Sequence, residues 1–98
     1  MKVLWTHKAI KSFNKIVDFL NERWTKKEID AFAEQTDKVI EQISENPYMF
    51  VATENRKNVR KGMVNKLVSL FYRVKPRKKE IELIKFHDNR QDPEKINE

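Results

Sequence analysis

The sequence predicts an α+β domain in which a helical hairpin packs on one face of a mostly antiparallel, four-stranded sheet. Two observations lead to this prediction. In the first half, two successive stretches space their apolar residues as helices do, and in the second half three strand-like stretches are separated by turns. With a short strand at the start, the predicted order is β-α-α-β-β-β. We expect a single domain over residues 1–98, in which residues 88–98 form a polar tail that frays toward its end.

The first predicted strand is followed directly by the first helix. Residues 1–6 alternate as a short strand does, and from residue 7 the apolar side chains recur at spacings of three and four. This spacing is typical of an amphipathic helix with one face to bury. The predicted core stripe comprises Ile10, Phe13, Val17, Leu20 and Trp24, widened by Ile16 and Phe19.

The second helix has a recognisable start and end. Thr25 opens the sequence TKKE, a capping box in which Glu28 stands three residues after the cap. The helix must end near Asn46, because Pro47 disfavours helical geometry in the residue before it. Its core stripe comprises Ile29, Phe32, Thr36, Val39 or Ile40, and Ile43. The two helices therefore form an antiparallel hairpin.

The second half is predicted to hold three strands after a connector at residues 47–58. Tyr48 and Phe50 should tuck beneath this connector. Gly62, in the first strand, marks either a bulge or a point where another part of the chain comes close. The three strand-like segments cover residues 59–66, 67–75 and 80–87.

Positive charge is concentrated in these strands. Residues 56–79 hold ten Lys and Arg and no acidic residue, and the whole net charge of +6 lies in residues 51–98. Alternation along the middle strand sends Val68, Leu70, Tyr72 and Val74 to one face and Ser69, Phe71, Arg73 and Lys75 to the other. The helices cover only one face, so we expect the open face to be basic. Such a face fits a polyanionic partner, either nucleic acid or an acidic protein segment, or is simply a solvated surface.

The composition excludes several kinds of site and segment. The chain has no cysteine, which rules out disulfides and thiolate metal sites. No stretch approaches the ~18 apolar residues of a membrane helix, and the first residues lack the apolar run of a signal peptide. We therefore expect a soluble, cytoplasmic protein that uses no cofactor and no metal.

Several motifs occur in an order that resembles one protein family. The chain has WTHKAI where the first strand meets the first helix, and a P-x-x-F pattern at Pro47–Phe50 after the second helix. It then has LFYRV in the middle strand and IELIKFHDNRQDP from the last strand onward. Together with the predicted β-α-α-β-β-β order, these motifs resemble the RelE/ParE superfamily of bacterial toxins, which includes plasmid stabilisation proteins. The resemblance covers nearly the whole chain.

The resemblance implies a toxin that arrests growth and is neutralised by an antitoxin encoded beside it. The C-terminal segment of the antitoxin would wrap the toxin and cover its basic face, giving a toxin–antitoxin hetero-oligomer. Members of the superfamily differ in their target. The ParE-like branch inhibits DNA gyrase without a known cleavage chemistry, whereas the RelE-like branch cleaves mRNA on the ribosome.

RNA cleavage by a 2′-OH requires a proton acceptor, a proton donor and a cation beside the developing phosphorane. If the chain is a ribonuclease, we expect His87, Arg73 and Arg90 to act in catalysis, with His7 as the second histidine available. The residues expected to bind nucleic acid or the antitoxin are Arg60, Lys61, Lys66, Arg73, Lys75 and Arg90. Some of these assignments have structural alternatives, since Arg90 could simply pair with Asp88.

The chain departs from the ribonuclease branch at two points. That branch commonly carries an R-L-x-Y pattern, but Ser69 stands at the arginine position here, in SLFY. It also usually has a Tyr or His near the C-terminus, and this chain offers only His87. We therefore favour a ParE-like toxin, with a RelE-like endoribonuclease as the alternative. A third hypothesis is a plain nucleic-acid-binding module, for which Phe71 is the only aromatic residue expected on the basic face.

Overall fold

A computed structural model describes residues 1–91 of the chain. The predicted order of elements is confirmed, and a short 3-10 turn at Asn89–Gln91 follows the last strand. The elements are β1 (Lys2–Trp5), α1 (His7–Asn21), α2 (Lys26–Glu45), β2 (Val59–Met63), β3 (Val68–Lys75) and β4 (Glu80–Asp88).

The four strands form one mixed sheet in the order β1-β4-β3-β2. β1 runs parallel to β4, and the other two pairs are antiparallel, so the predicted mostly antiparallel sheet is confirmed. α1 packs against β4, and α2 packs beside α1 and near β1. The two helices thus cover one face of the sheet, and the core between the two layers includes Ala9, Leu20, Phe32, Ile43, Leu70, Tyr72, Leu83 and Phe86.

The helix signals largely hold, with one correction. Thr25 caps α2 as predicted: its hydroxyl accepts the Glu28 N–H, and the Glu28 carboxylate accepts the Thr25 N–H at 3.0 Å. The expected core position of Ile10 is wrong, because its side chain is 45% exposed. The neighbouring Ala9 is fully buried instead. Successive helical residues point about 100° apart, so a helix that buries Ala9 turns Ile10 toward solvent.

The connector between α2 and β2 is fastened to the sheet. The Thr53 N–H donates to Val59 O at 2.8 Å, and the Lys61 N–H donates to Val51 O at 3.1 Å. Phe50 packs against the core as expected, but Tyr48 lies 53% exposed, so the prediction for Tyr48 is wrong. These hydrogen bonds hold the connector along the outer edge of β2 and cover that edge.

β2 ends at Met63, three residues before the predicted end. The cause is a tight turn centred on Asn65, whose side-chain oxygen accepts the N–H groups of Leu67 at 2.8 Å and Val68 at 3.0 Å. Asn commonly forms turns in this way, by bonding the backbone two or three residues further on. The turn takes Lys66 out of the sheet.

A β-bulge in β4 reverses the alternation of that strand. Phe71 pairs with Lys85, but the next residue of β3, Tyr72, pairs with Leu83, so Ile84 is skipped in the ladder. Before the bulge Leu83 faces the helices, and after it Phe86 does, although the two residues are three apart. As a result, Lys85 is placed on the face opposite the core.

Within residues 1–91, neither helix is long and apolar enough to cross a membrane. The expectation of a single domain over residues 1–98 stays a prediction. The end of the predicted polar tail, from residue 92 onward, lies outside the described residues, whereas its first residues continue β4 and the 3-10 turn.

Candidate functional site

The face of the sheet opposite the helices carries side chains in rows that run across the strands. Partners in the ladders share a face, so one row is Lys61–Phe71–Lys85 and the next is Met63–Ser69–His87. We call this surface the open face. Its members on β2, β3 and β4 are Val59, Lys61, Met63, Ser69, Phe71, Arg73, Lys75, Glu80, Glu82, Lys85 and His87, and β1 adds Lys2 and Leu4. Neither helix packs on it, so it is the largest candidate binding surface of the sheet.

The open face is less uniformly basic than the sequence predicts. Glu82 of β4 lies between two of its cations, 3.5 Å from Arg73 and 3.3 Å from Lys75. All three side chains are about one-quarter to one-third exposed, so the pairs add little to stability. They do neutralise part of the positive charge at this end of the face.

The middle row of the open face keeps its charge. Lys61 and Lys85 stand on either side of Phe71, with their ammonium nitrogens 5.8 Å and 5.6 Å from the ring centroid. Within the described part of the chain, no carboxylate lies within 4.0 Å of either lysine. This row therefore combines an aromatic ring with two lysines that no carboxylate of the described residues neutralises.

Arg60 does not belong to the open face, which corrects its grouping with Arg73. It pairs with the buried Tyr72 and so lies on the helix side of β2. There its guanidinium donates to Phe50 O and stacks 4.9 Å from the centre of the Tyr48 ring. Arg60 thus secures the connector.

Tyr72 fills the core, as the alternation along the middle strand predicts. It is fully buried, and its hydroxyl donates to Pro47 O at 2.8 Å. Burial raises the pKa of the Tyr72 hydroxyl, against the opposing effects of the Arg60 charge and a backbone hydrogen bond with Phe50. A buried phenol that stays protonated serves to tie the end of α2 to β3.

Arg90 is held by Asp88 at the end of β4. Its guanidinium donates to both carboxylate oxygens of Asp88, at 3.1 Å and 3.0 Å, and also lies 5.6 Å from the ring centroid of Phe19. Burial alone would raise the pKa of Asp88, but hydrogen bonds from Arg90 and the charges of Arg90 and His87 hold it below its usual value. The ion pair between Asp88 and Arg90 therefore stabilises the end of β4, which is the structural alternative to a catalytic role for Arg90.

His87 lies where the open face meets a small cleft. Across the sheet it is paired with Ser69, which is fully buried and donates its hydroxyl to Asn89 Oδ1 at 2.8 Å. On the other side it borders a cleft of about 240 Å³ between α1 and the end of β4. The cleft is lined by Ser12, Lys15, Ile16, Phe19, Phe86, His87 and Asp88.

The structure therefore brings together only part of the predicted site. Lys61, Arg73, Lys75 and His87 lie on the open face, whereas Arg90 lies beyond its end. Lys66 is exposed in the turn after β2, and His7 is exposed at the start of α1. Lys85 was missed, because simple alternation from Ile81 would turn it toward the core; only the bulge reveals its place.

The arrangement suits binding better than acid–base chemistry. The open face offers two lysines with no carboxylate from residues 1–91 within 4.0 Å, an aromatic ring and a methionine that is 45% exposed. Its arginine, Arg73, is engaged with Glu82. Among residues 1–91, no group of three or more His, Asp or Glu side chains is placed to hold a metal ion.

Comparison with known proteins gives one family and one fold. The sequence model of the family described as "ParE toxin of type II toxin-antitoxin system, parDE" matches residues 3–93. None of the curated proteins matches the chain in sequence.

Two solved structures share the fold. One belongs to the chromosomal ParDE toxin–antitoxin system of P. aeruginosa, with a TM-score of 0.73 and 18% identity over 90% of this chain and 95% of that one. The other is the isolated E. coli RelE toxin, with a TM-score of 0.64 and 13% identity over 98% of this chain and 92% of that one. At such low identity these likenesses establish the fold alone.

Proposed function

Because the chain belongs to the ParE toxin family of type II toxin–antitoxin systems, we propose that it arrests growth when freed from its antitoxin. We further propose that it acts in the cytoplasm by binding and inhibiting DNA gyrase, and not by cutting RNA. The match of the family model to residues 3–93 supports the toxin role, and the state of the candidate catalytic residues supports the choice of mechanism.

The observation that favours binding over cleavage is that the arginines RNA cleavage would use are already engaged. Arg90 forms a bidentate ion pair with the buried Asp88, and Arg73 forms an ion pair with Glu82. Stabilising a phosphorane requires cations aimed at the substrate before it arrives. In addition, Ser69 is fully buried where the ribonuclease branch carries an arginine. Both arginines that the ribonuclease alternative would use beside His87 are therefore held by carboxylates.

The proposed antitoxin partner fits the open face. Its C-terminal segment would lie across the sheet, with carboxylates near Lys61 and Lys85 and apolar side chains near Met63. Such a contact would bury the exposed methionine and neutralise lysines that have no carboxylate within 4.0 Å in residues 1–91. The product would be a toxin–antitoxin hetero-oligomer whose open face is covered until the antitoxin is removed.

Controlled expression tests the proposed mechanism. The chain is induced from a tightly repressed promoter, and growth, the 5′ ends of cellular mRNA and the DNA-damage response are followed for several minutes. We expect growth arrest with intact mRNA and an induced damage response. New 5′ ends inside translated reading frames would instead establish a ribonuclease.

The variants Arg73→Ala and His87→Ala make this test specific to mechanism. Under the proposal, neither substitution abolishes a chemical step, so growth arrest persists in both as long as the variant chains accumulate to the normal level. Loss of growth arrest in both variants, with normal amounts of folded chain, would contradict the binding mechanism.

A further inference from the structure

Charge compensation divides the cations that β2, β3 and β4 place on the open face into two groups. Arg73 and Lys75 share Glu82, whereas Lys61 and Lys85 have no carboxylate within 4.0 Å in the described part of the chain. Both uncompensated lysines belong to one row, and the residue between them is Phe71. On these three strands, the two lysines without a carboxylate partner in residues 1–91 therefore lie on either side of the Phe71 ring.

The geometry of this row leaves the ring accessible. Phe71 lies on β3, one of the two inner strands, and the lysines lie on the strands on either side, so their Cα atoms are about 10 Å apart. Their ammonium nitrogens stand 5.8 Å and 5.6 Å from the ring centroid, near the ~6 Å limit of a cation–π contact. Long lysine side chains held this loosely can move aside for a planar ligand.

We propose that the Lys61–Phe71–Lys85 row is a binding site for single-stranded nucleic acid. One unpaired base stacks on Phe71, and the phosphates on either side of that base contact Lys61 and Lys85. An aromatic side chain on an open sheet face, flanked by cations, is the arrangement that binds unstacked bases without sequence preference. A duplex does not fit, because its bases are stacked on each other and cannot reach the ring.

The acidic segment of the antitoxin, proposed above to cover Lys61 and Lys85 in the toxin–antitoxin complex, is the competing ligand, and the aromatic ring favours nucleic acid once the antitoxin has left. Carboxylates could satisfy the two lysines, but they make no use of a ring placed between them. A nucleotide uses all three residues at once, since it carries a planar base between two phosphates. The inference does not depend on the proposed inhibition of gyrase, which concerns the target of the toxin and not this row.

Fluorescence anisotropy with labelled 12-nucleotide oligothymidylate and oligouridylate tests the inference on the full chain. We expect Phe71→Leu, which keeps an apolar side chain but removes the stacking surface, to weaken binding by about 5-fold to 100-fold. Phe71→Tyr restores a ring and should bind like the wild type. The logarithm of the association constant falls as the logarithm of the salt concentration rises. Lys61→Gln and Lys85→Gln should each make this slope shallower by about 0.7.

Lys78→Gln is the matched control, because Lys78 is exposed in the β3–β4 turn and its loss changes the net charge equally. If the row is the site, Lys78→Gln binds nearly as the wild type does. This pattern with either oligomer supports the proposal, and the tighter oligomer identifies DNA or RNA as the natural ligand. Circular dichroism verifies that each variant is folded.

Three results would overturn the inference. The first is no binding of either oligomer at 50 mM salt. The second is equal binding by wild type and Phe71→Leu, which would indicate general attraction to a basic surface. The third is tighter binding of a polyglutamate peptide of equal charge than of either oligomer, which would assign the row to an acidic protein segment alone. None of these results bears on growth arrest or on gyrase.

Discussion

Gly62 and Phe50 leave no room between them for another carbon atom. A Cβ built on Gly62 would lie 2.8 Å from Cδ2 and 2.9 Å from Cε2 of the Phe50 ring. The ring itself packs against the core, and Phe50 O accepts a hydrogen bond from Arg60. The sequence predicted either a bulge or a close approach at this glycine, and the structure shows a close approach by Phe50 of the connector.

Gly62→Ala should therefore lower the free energy of unfolding. The added methyl group forces Phe50 to shift, and overpacking of this kind costs about 1–3 kcal/mol. Urea denaturation of the two chains measures the difference. In a double-mutant cycle, Phe50→Leu should relieve part of the cost of Gly62→Ala. If Gly62→Ala is as stable as the wild type, the connector does not pack on β2 as described.

Asp88 is a buried hydrogen-bond acceptor at the end of β4. Its side chain is only 6% exposed, and it accepts two hydrogen bonds from the Arg90 guanidinium and one from the Arg90 N–H. The pKa of Asp88 is lowered, since the hydrogen bonds and positive charges outweigh the opposing effect of burial. The folded chain therefore releases this proton more readily than the unfolded chain does.

Asp88→Asn should destabilise the chain at neutral pH and much less in acid. At pH 7 we expect a loss of about 1–2 kcal/mol, because the half-exposed Arg90 is partly screened by water. The contribution of Asp88 is complete above its unfolded pKa of about 4 and is lost as pH falls through its lower folded pKa. Urea denaturation of both chains at pH 7, 5, 4 and 3 checks this.

Asp37→Asn, at an exposed position in α2, provides the control for that series. Its effect should be small and should vary little with pH. A difference between wild type and Asp88→Asn that is absent at pH 7, or that is unchanged at pH 3, would contradict the role given to the Asp88–Arg90 pair.

The helices and strands differ in how well their ends and their buried faces can be predicted from local sequence. The capping box at Thr25 is local, so TKKE predicts the start of α2 correctly. The phase of β3 was also predictable, because Leu70, Tyr72 and Val74 form a consistent apolar set. The bulge at Ile84 was missed, because the adjacent apolar pair Leu83–Ile84 breaks the alternation but does not show which residue the ladder with β3 skips. The face of Lys85 was missed for that reason.

Thr25→Ala tests the start of α2. Removing the hydroxyl leaves the Glu28 N–H without its cap, which costs about 1 kcal/mol in folded proteins. Thermal denaturation should show a lower midpoint for Thr25→Ala, while Thr25→Ser, which keeps the hydroxyl, should stay near the wild type. Equal midpoints for all three chains would show that the capping box adds nothing to the stability of the hairpin.

At the scale of the whole molecule, the net charge did not reveal which cations of the sheet are neutralised by nearby carboxylates. The second half carries the excess of +6, but Glu82 and Asp88 neutralise cations at two places on the sheet. Arg60 lies on the opposite side from Lys61, and β2 gave no warning because both of its apolar side chains, Val59 and Met63, lie on the same face as Lys61. The β-α-α-β-β-β order of elements was predictable from the sequence. The ion pair between Arg73 and Glu82 was not, because it depends on which residues face each other across β3 and β4.

The central claim is that the free chain arrests growth by acting on DNA gyrase, and a supercoiling assay tests it most directly. Purified gyrase is incubated with relaxed plasmid, ATP and increasing amounts of the chain, and the plasmid forms are separated by electrophoresis. We predict that the chain blocks supercoiling once it is in modest excess over gyrase. Full supercoiling in a large excess of correctly folded chain would contradict the account.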